Sequence, residues 1–213
     1  MGRPQHSDHR ILDAAGALLL ESGPRAATIE AIASASGAPK GSIYYRFRSR
    51  DEIFASLWIR AVERFQAALL AAVGVGEPLE VAVTAALAVY DFCDASRADA
   101  RLLMSFRPQD LWGDGLPPAL RRRLVEINAP VDAAQRDLAR QLYGADGEEA
   151  LGRLRRAVFD LPHGMAREHV IDDQPLAPAA RSDLERAVRA VLTAPLHGGR
   201  RPRRGAARTA SRR

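Results

Sequence analysis

The segment 40–46 brings together side chains that could contact nucleic acid: Lys40, Tyr44, Tyr45 and Arg46. A lysine can donate to the acceptor atoms of guanine, and tyrosine offers a hydroxyl to phosphates and a ring face to thymine methyl groups. Ile43 and Phe47 are four residues apart, so in a helix they share one inward face and leave the others outward or sideways. This pattern predicts a short helix over residues 40–47 that enters the major groove of DNA end-on.

The residues before this segment predict the helix that positions it. Thr28 can cap a helix whose inward face carries Ile29, Ile32 and Ala33. Gly37 suits the left-handed backbone at a helix end, and Pro39 suits the first turn of the next helix. The spacing of Ala33, Gly37 and Ile43 predicts a helix-turn-helix over residues 28–48. The alternative is an ordinary helix hairpin with a glycine turn.

Further residues around this unit extend the predicted DNA interface. Ser42 can bond a base edge or a phosphate, and the amides that follow Thr28 and Ser49 form anion sites at helix starts. We expect Arg46, Arg48 and Arg50 to clamp the DNA backbone on either side of the groove. Each of these side chains is alternatively a solvated surface residue. The predicted DNA-binding residues are Thr28, Pro39, Lys40, Gly41, Ser42, Tyr44, Tyr45, Arg46, Arg48 and Arg50.

Two longer helices flank the predicted helix-turn-helix. One runs from after Ser7 to Ser22, behind a polar arm (residues 1–6) that contains Arg3 and is either a minor-groove contact or a frayed terminus. The other opens at Ser49 with the capping box that Glu52 completes, and continues over 50–73. At 1.5 Å per residue it would span about 35 Å, which is long enough to transmit a movement from the rest of the chain to the helix-turn-helix.

The remainder of the chain predicts a helical body after the break at 74–78. Helices are expected over 79–95, 98–106, 117–143 and 148–171, with a loop at 107–118, a kink or split at Pro130 and a kink at Pro162. The inner faces of these helices could enclose a pocket for a mainly apolar ligand, although each residue would serve equally as plain core. Candidate lining residues are Tyr90, Phe92, Cys93, Met104, Phe106, Trp112, Phe159, His163 and Met165.

The last two helices carry narrow apolar seams with three- and four-residue spacing, of the kind that packs helix on helix. The same spacing would serve a dimer interface or packing within one chain. The candidate interface residues are Leu151, Leu154, Val158, Leu161, Met165, Leu184, Val188 and Val191.

Charge is unevenly distributed along the 213 residues. The total is +5; residues 1–50 carry +3 and residues 198–213 carry +7, which leaves −5 for residues 51–197. Basic ends on an acidic middle favour DNA binding by the ends of the chain. The Arg-rich segment 197–213 has no apolar side chain larger than alanine, so it is expected to be disordered.

The sequence offers little support for other classes of protein. It contains no G-x-S-x-G, H-E-x-x-H, P-loop or Rossmann pattern, so an enzyme is not expected. His163 and His169 are six apart and do not share a helical face as a metal pair would, so neither a metal nor a cofactor is expected. The single cysteine, Cys93, leaves no internal disulfide and suits a reducing cytoplasm, and no apolar run is long enough for a membrane span.

Three segments together resemble the DNA-binding domain of the TetR family of bacterial, ligand-responsive transcriptional regulators: ILDAAGALLLESG at 11–23, TIEAIASASGAPKGSIYYRF at 28–47 and SRDEIFASLW at 49–58. The resemblance is close over about the first 60 residues, and beyond them it extends only to length and helical layout. Pro39 stands where the family often has a capping serine, and Leu19 where it often has phenylalanine. The first departure bears on one cap or phosphate contact at the start of the recognition helix.

The resemblance implies an all-α fold of about nine helices. Residues 1–50 would form a three-helix DNA-binding domain, 51–196 a ligand-binding and dimerisation domain, and 197–213 a tail. Base reading would fall to Lys40, Gly41 and Ser42, and phosphate contacts to Thr28, Tyr44, Tyr45 and Arg50. The final two helices would form a four-helix interface in a homodimer. The expected function is a repressor that a small, mainly apolar effector releases from a palindromic operator; the alternatives are an activator of the same fold and a ligand-independent architectural or adaptor protein.

Overall fold

The computed structural model describes residues 5–195, and all regular secondary structure in this part of the chain is helical, without a strand. The predicted arm around Arg3 and the tail at 197–213 lie outside the described residues. The elements are α1 (Gln5–Ser22), α2 (Ile29–Ser36), α3 (Lys40–Arg46), α4 (Arg50–Ala72), α5 (Pro78–Ala95), α6 (Arg97–Ser105), α7 (Pro108–Leu111), α8 (Pro118–Glu126), α9 (Ala129–Tyr143), α10 (Glu148–Arg155), a π-helical turn (Arg156–Asp160), α11 (Leu161–Asp172) and α12 (Ala180–Thr193).

The helix-turn-helix forms through the local signals that the sequence carries. The Thr28 hydroxyl accepts a hydrogen bond from the Ala31 amide at 3.2 Å and so caps α2. Gly37 ends α2 with φ of 68°, a conformation that a side chain would strain. Ser49 caps α4 by accepting from the Glu52 amide at 3.2 Å, and the Glu52 carboxylate accepts from the Arg48 amide at 2.8 Å. These caps fix where each helix starts and therefore how α3 is presented.

Two hydrophobic cores lie along α4. The first joins α1, α2, α3 and the start of α4 around fully buried Ile11, Ile43 and Phe54, and we call this unit the head. It also takes in Leu102 of α6 and Leu111 of α7, each 2% exposed. The second core, in the body, surrounds α5, which packs against α4, α11 and α12. Because Leu102 and Leu111 belong to the first core, head and body share packing beyond α4.

Within residues 5–195 the helices number more than the nine expected, for two local reasons. The predicted loop at 107–118 contains the one-turn helix α7, so that part of the prediction is wrong. The helix predicted over 117–143 is split, with Pro130 in the first turn of α9, where the missing amide hydrogen does no harm. The first helix also begins earlier than expected, at Gln5.

The helix around Pro162 continues through the proline instead of ending there. Residues 156–160 widen into a π turn, in which the Leu161 amide donates to the Arg156 carbonyl five residues earlier. Proline has no amide hydrogen to donate to the carbonyl four residues before it, and a wider turn is a common way to accommodate such a missing bond. Phe159 and His163 therefore project from a locally altered helix.

Four of the predicted dimer-interface residues are instead part of the body core. Leu154 and Leu184 are fully buried, as is Val188, and Val158 is 3% exposed, all within one chain. A buried side chain has no surface to offer a second subunit, so the interface assignment is wrong for these four. The other four pack against the core and remain partly exposed: Leu151, Leu161, Met165 and Val191.

Candidate DNA interface and ligand cleft

The outward face of α3 carries large side chains that the fold does not cover. Tyr44 is 52% exposed and Tyr45 is 74% exposed, while Ile43 between α2 and α3 is fully buried. Gly41 lies on the same outward side, and a Cβ added there would meet nothing within 4 Å. A glycine inside a helix costs about 0.5–1 kcal/mol relative to alanine. No contact within the described residues accounts for that cost at Gly41.

Lys40 is positioned by an ion pair on this face. Its Nζ lies 2.8 Å from Oε1 of Glu30 in the first turn of α2, and both side chains are more than half exposed. The hydrogen bond from Lys40 holds the pKa of the Glu30 carboxyl below its usual range. Exposed pairs of this kind contribute little to stability, so Lys40 can exchange Glu30 for another acceptor at small cost.

Arg46 does not project from this face as a DNA clamp. Its guanidinium bonds Asp8 of α1 at 2.7 Å and the Ser42 carbonyl at 2.8 Å, contacts the Ser42 hydroxyl, and is only 14% exposed at the side chain. Ser42 is correspondingly half-buried. The structure therefore gives Arg46 a bracing role between α1 and α3, in place of the predicted phosphate contact.

The other predicted phosphate contacts differ in how far they are engaged. Arg50 donates to the Pro24 carbonyl at 3.2 Å and stacks 5.4 Å above the ring centre of Phe54, so it braces the turn before α2. The Arg48 side chain is exposed. The exposed Thr28 hydroxyl uses its oxygen to cap α2, which leaves its hydrogen free to donate to an anion.

A cleft of about 310 Å³ opens in the body between α4, α5, α6 and α11, within the range of small-molecule sites. Phe65 of α4 stands in its wall, with ring centres 5.3 Å from Phe92, 6.1 Å from His163 and 6.3 Å from Phe159. The lining residues are Phe65, Phe92, Cys93, Ala100, Leu103, Met104, His163, Gly164 and Arg167.

Four of the nine predicted pocket residues line this cleft: Phe92, Cys93, Met104 and His163. The other five lie outside this cleft. Trp112 lines a separate groove beside α8, and Phe159 a small cavity near α9. Tyr90 and Met165 belong to the body core and its margin, and Phe106 packs on the head core. Phe65 is absent from the predicted lining because the pattern over 50–73 predicts only a long connecting helix and does not indicate which other helices it faces.

Burial governs the protonation of the cleft's thiol and imidazole. Burial raises the pKa of Cys93 to about 11, so this sulfur stays a thiol at neutral pH. Burial also lowers the pKa of His163 below its ordinary value of 6.5, against a smaller opposing effect from Asp160. Both of these buried groups in the cleft are therefore uncharged at neutral pH. Among residues 5–195, no group of three or more potential metal-ligating side chains occurs.

The lowered pKa of His163 predicts that the protein is less stable in mild acid. Between the folded pKa and 6.5 the unfolded chain binds more protons than the folded one, so the free energy of unfolding falls as pH drops below about 6.5. Urea unfolding from pH 7.5 to 5.0 should show this decrease, and His163→Gln should flatten it. Equal slopes for the two proteins would contradict a buried, neutral His163.

One helix links the cleft to the head. Ala100, Leu103 and Met104 of α6 line the cleft, while Leu102 of the same helix is inserted into the head core. An ion pair of 3.0 Å between Arg64 of α4 and the largely buried Asp99 fixes α6 against α4. A displacement of α6 at the cleft would therefore directly change the packing of the head core.

Comparison with known proteins extends these observations. Residues 11–57 match the sequence profile of the bacterial regulatory proteins of the tetR family. A TetR-like transcriptional regulator from Rhodococcus sp. RHA1 superposes with a TM-score of 0.65 at 21% identity, covering 88% of this chain and 96% of its own. PfmR of Thermus thermophilus, a TetR family transcriptional regulator, gives 0.63 at 20% identity over 86% and 97%. No curated protein matches the chain.

The same fold occurs in the fatty acid degradation regulator FadR of Bacillus halodurans, with a TM-score of 0.62 at 18% identity over 90% of this chain and 99% of that one. At these identities the likeness establishes the fold, and each relative's ligand remains a property of that relative. A helix-turn-helix head on an all-helical body is the architecture that this chain shares with these regulators. Residues 11–57, from α1 to the first turns of α4, therefore belong to the TetR family, and the rest of the chain shares the fold of these regulators. No helix within residues 5–195 is long and apolar enough to cross a membrane.

Proposed function

We propose that the protein is a homodimeric repressor that binds a palindromic operator through α3 and is released by a small, mainly apolar effector in the cleft. The observation that carries the DNA-binding part is the outward face of α3. Tyr44 and Tyr45 are exposed there beside a glycine that no packing explains. A surface kept free of a side chain beside two large aromatic ones fits close approach to a DNA groove.

Two heads are needed for tight binding, because a single head of this size buries too little surface against DNA. A two-fold dimer matches an operator whose half-sites are inverted repeats. The partly exposed residues Leu161, Met165 and Val191 on the last two helices support an interface there, in place of the buried positions first assigned. Selection of bound fragments from random DNA, followed by footprinting, tests this proposal. A symmetric, inverted-repeat footprint is expected; failure to enrich any sequence would refute it.

The effector part of the proposal depends on the cleft and on α6. A ligand that binds better to the arrangement with separated heads would lower operator affinity by its differential affinity for the two states. The cleft also favours this proposal over a ligand-independent architectural role, for which a sealed body would be expected. A true effector should change both the melting temperature and the operator affinity, since binding and response are thermodynamically linked.

Replacing Gly41 with alanine should stabilise the protein and weaken DNA binding together. The new methyl group meets nothing within 4 Å in the chain, and alanine is about 0.5–1 kcal/mol better than glycine in a helix, so the free energy of unfolding should rise. The same methyl group would stand between α3 and the DNA, and we expect affinity for the selected operator to fall by about tenfold or more. Urea unfolding and a gel-shift titration measure the two effects.

Gly152→Ala is the matched control for this prediction. Gly152 lies inside α10, far along the chain from α3, and its added Cβ would meet only the end of the Arg156 side chain at 3.4 Å. It should gain stability in the same way and leave operator affinity unchanged. Unaltered DNA binding by Gly41→Ala would remove the reason given for glycine at that position.

A further inference from the structure

The side chains that line the cleft carry positive charge without a negative counterpart. Apart from apolar residues, the lining contains Cys93, His163 and Arg167, and no aspartate or glutamate. The thiol and the imidazole are both neutral at neutral pH for the reasons given above. Arg167 is then the charged group of the lining, because a guanidinium does not lose its proton in proteins.

Arg167 also lacks an ion pair of the kind that several other arginines of the body have. Arg181 bonds Asp91 at 3.1 Å, and Arg189 bonds Glu80 and Glu185 across α5 and α12. Within residues 5–195, Arg167 has no carboxylate partner, and its side chain is exposed at the edge of the cleft. It follows His163 by four residues on α11, so the two side chains lie on the same helical face.

We propose that the effector is an amphipathic carboxylate, whose chain lies among Phe65, Phe92 and Met104 and whose head group binds Arg167. A planar guanidinium forms two parallel hydrogen bonds with a carboxylate, and the neutral imidazole of His163 adds a donor on the same face. This inference rests on the proposed function in one respect only, namely that the cleft is the effector site. It does not depend on the DNA-binding part.

The head group can be tested with three ligands that share one ten-carbon tail: sodium decanoate, 1-decanol and decyltrimethylammonium. The two ions are used below their micelle concentrations and the alcohol below its solubility limit. Isothermal titration of the full chain without DNA should rank decanoate first. We expect decanoate to bind at least about tenfold more tightly than the alcohol, as charge-assisted hydrogen bonds imply, and the cation to bind most weakly.

Variants locate the effect at Arg167. Arg167→Met keeps an apolar stem and should remove the preference for decanoate over decanol, whereas Arg167→Lys should retain part of it. Arg155→Met removes another exposed arginine, on α10 and outside the cleft lining, and should leave decanoate binding unchanged. Gly164→Leu should block the cleft, since an added Cβ there points into open space. Circular dichroism verifies that each variant is folded.

Equal affinity for the three head groups, no measurable binding of decanoate, or an unaltered preference in Arg167→Met would each overturn the inference. These titrations contain no DNA, so their outcome does not depend on the DNA-binding proposal. That proposal is tested by operator selection in the absence of decanoate. A protein that selects an inverted repeat but ignores decanoate would refute the carboxylate inference alone. One that binds decanoate through Arg167 without selecting any DNA would refute the regulator proposal instead.

Discussion

Tyr44→Ala should lower operator affinity by about a hundredfold while leaving the protein folded. Tyr44 is 52% exposed on α3, so its removal costs the head little packing. A lost polar or ring contact is worth about 1.5 kcal/mol, and a symmetric dimer loses it twice, giving about 3 kcal/mol. Each 1.4 kcal/mol corresponds to a factor of ten in affinity. A gel-shift titration against the selected operator measures the change.

Two companion variants complete this test, one that divides the Tyr44 side chain into its parts and one that serves as a control. Tyr44→Phe keeps the ring and removes the hydroxyl, so it separates a phosphate contact from a contact with a thymine methyl group. Val125→Ala truncates another large exposed side chain, 79% exposed on α8, and should not change operator binding. If Tyr44→Ala binds like the unaltered protein, the outward face of α3 does not meet DNA.

Lys40 lies on the same proposed interface, but its removal should have an effect that depends more strongly on salt. To reach a base edge it must leave Glu30, to which it lies 2.8 Å away. Its contribution is therefore the difference between two exposed, salt-screened interactions. We expect its removal also to disrupt operator binding, with part of the loss dependent on ionic strength, whereas the loss from Tyr44→Ala should depend on salt less.

The head could be predicted from sequence because its determinants are local. A helix start at Thr28, a left-handed glycine at position 37 and a second start at Ser49 each depend on residues within one helical turn. The structure reproduces all three. The sequence did not reveal the partner of Arg46, because Asp8 is 38 positions away along the chain. Nothing in the local pattern distinguishes an arginine that forms an ion pair within the chain from one that contacts a phosphate.

The body was less accessible to the same reasoning for a physical reason. An apolar seam with three- and four-residue spacing shows that a helix buries one face, but not whether the covering helix belongs to the same chain. Leu154 and Leu184 are buried within the chain, yet their spacing also suited a dimer interface. The cleft depends on how four helices from separate segments meet, so its aromatic wall at Phe65 and its cation at Arg167 emerge only in three dimensions.

Leu102→Ala should destabilise the head although Leu102 belongs to a helix of the body. Its side chain is 2% exposed and packs in the core that α1 and α4 form. Truncation of a buried leucine to alanine typically costs about 2–5 kcal/mol through lost transfer energy and the cavity left behind. We expect a loss in this range on urea unfolding, together with faster amide hydrogen exchange in α1 and in the first turns of α4.

Leu184→Ala removes the same atoms from a fully buried site on α12 in the body core and is the matched control. It should cost a similar free energy of unfolding, yet leave exchange in α1 close to that of the unaltered protein. Hydrogen exchange is needed because two variants that lose the same free energy of unfolding cannot be distinguished by urea unfolding alone. If Leu102→Ala left α1 as protected as Leu184→Ala does, then α6 would not support the head core. The route from the cleft to DNA would then have to run through α4 alone, whose Phe65 touches the cleft and whose first turn follows α3.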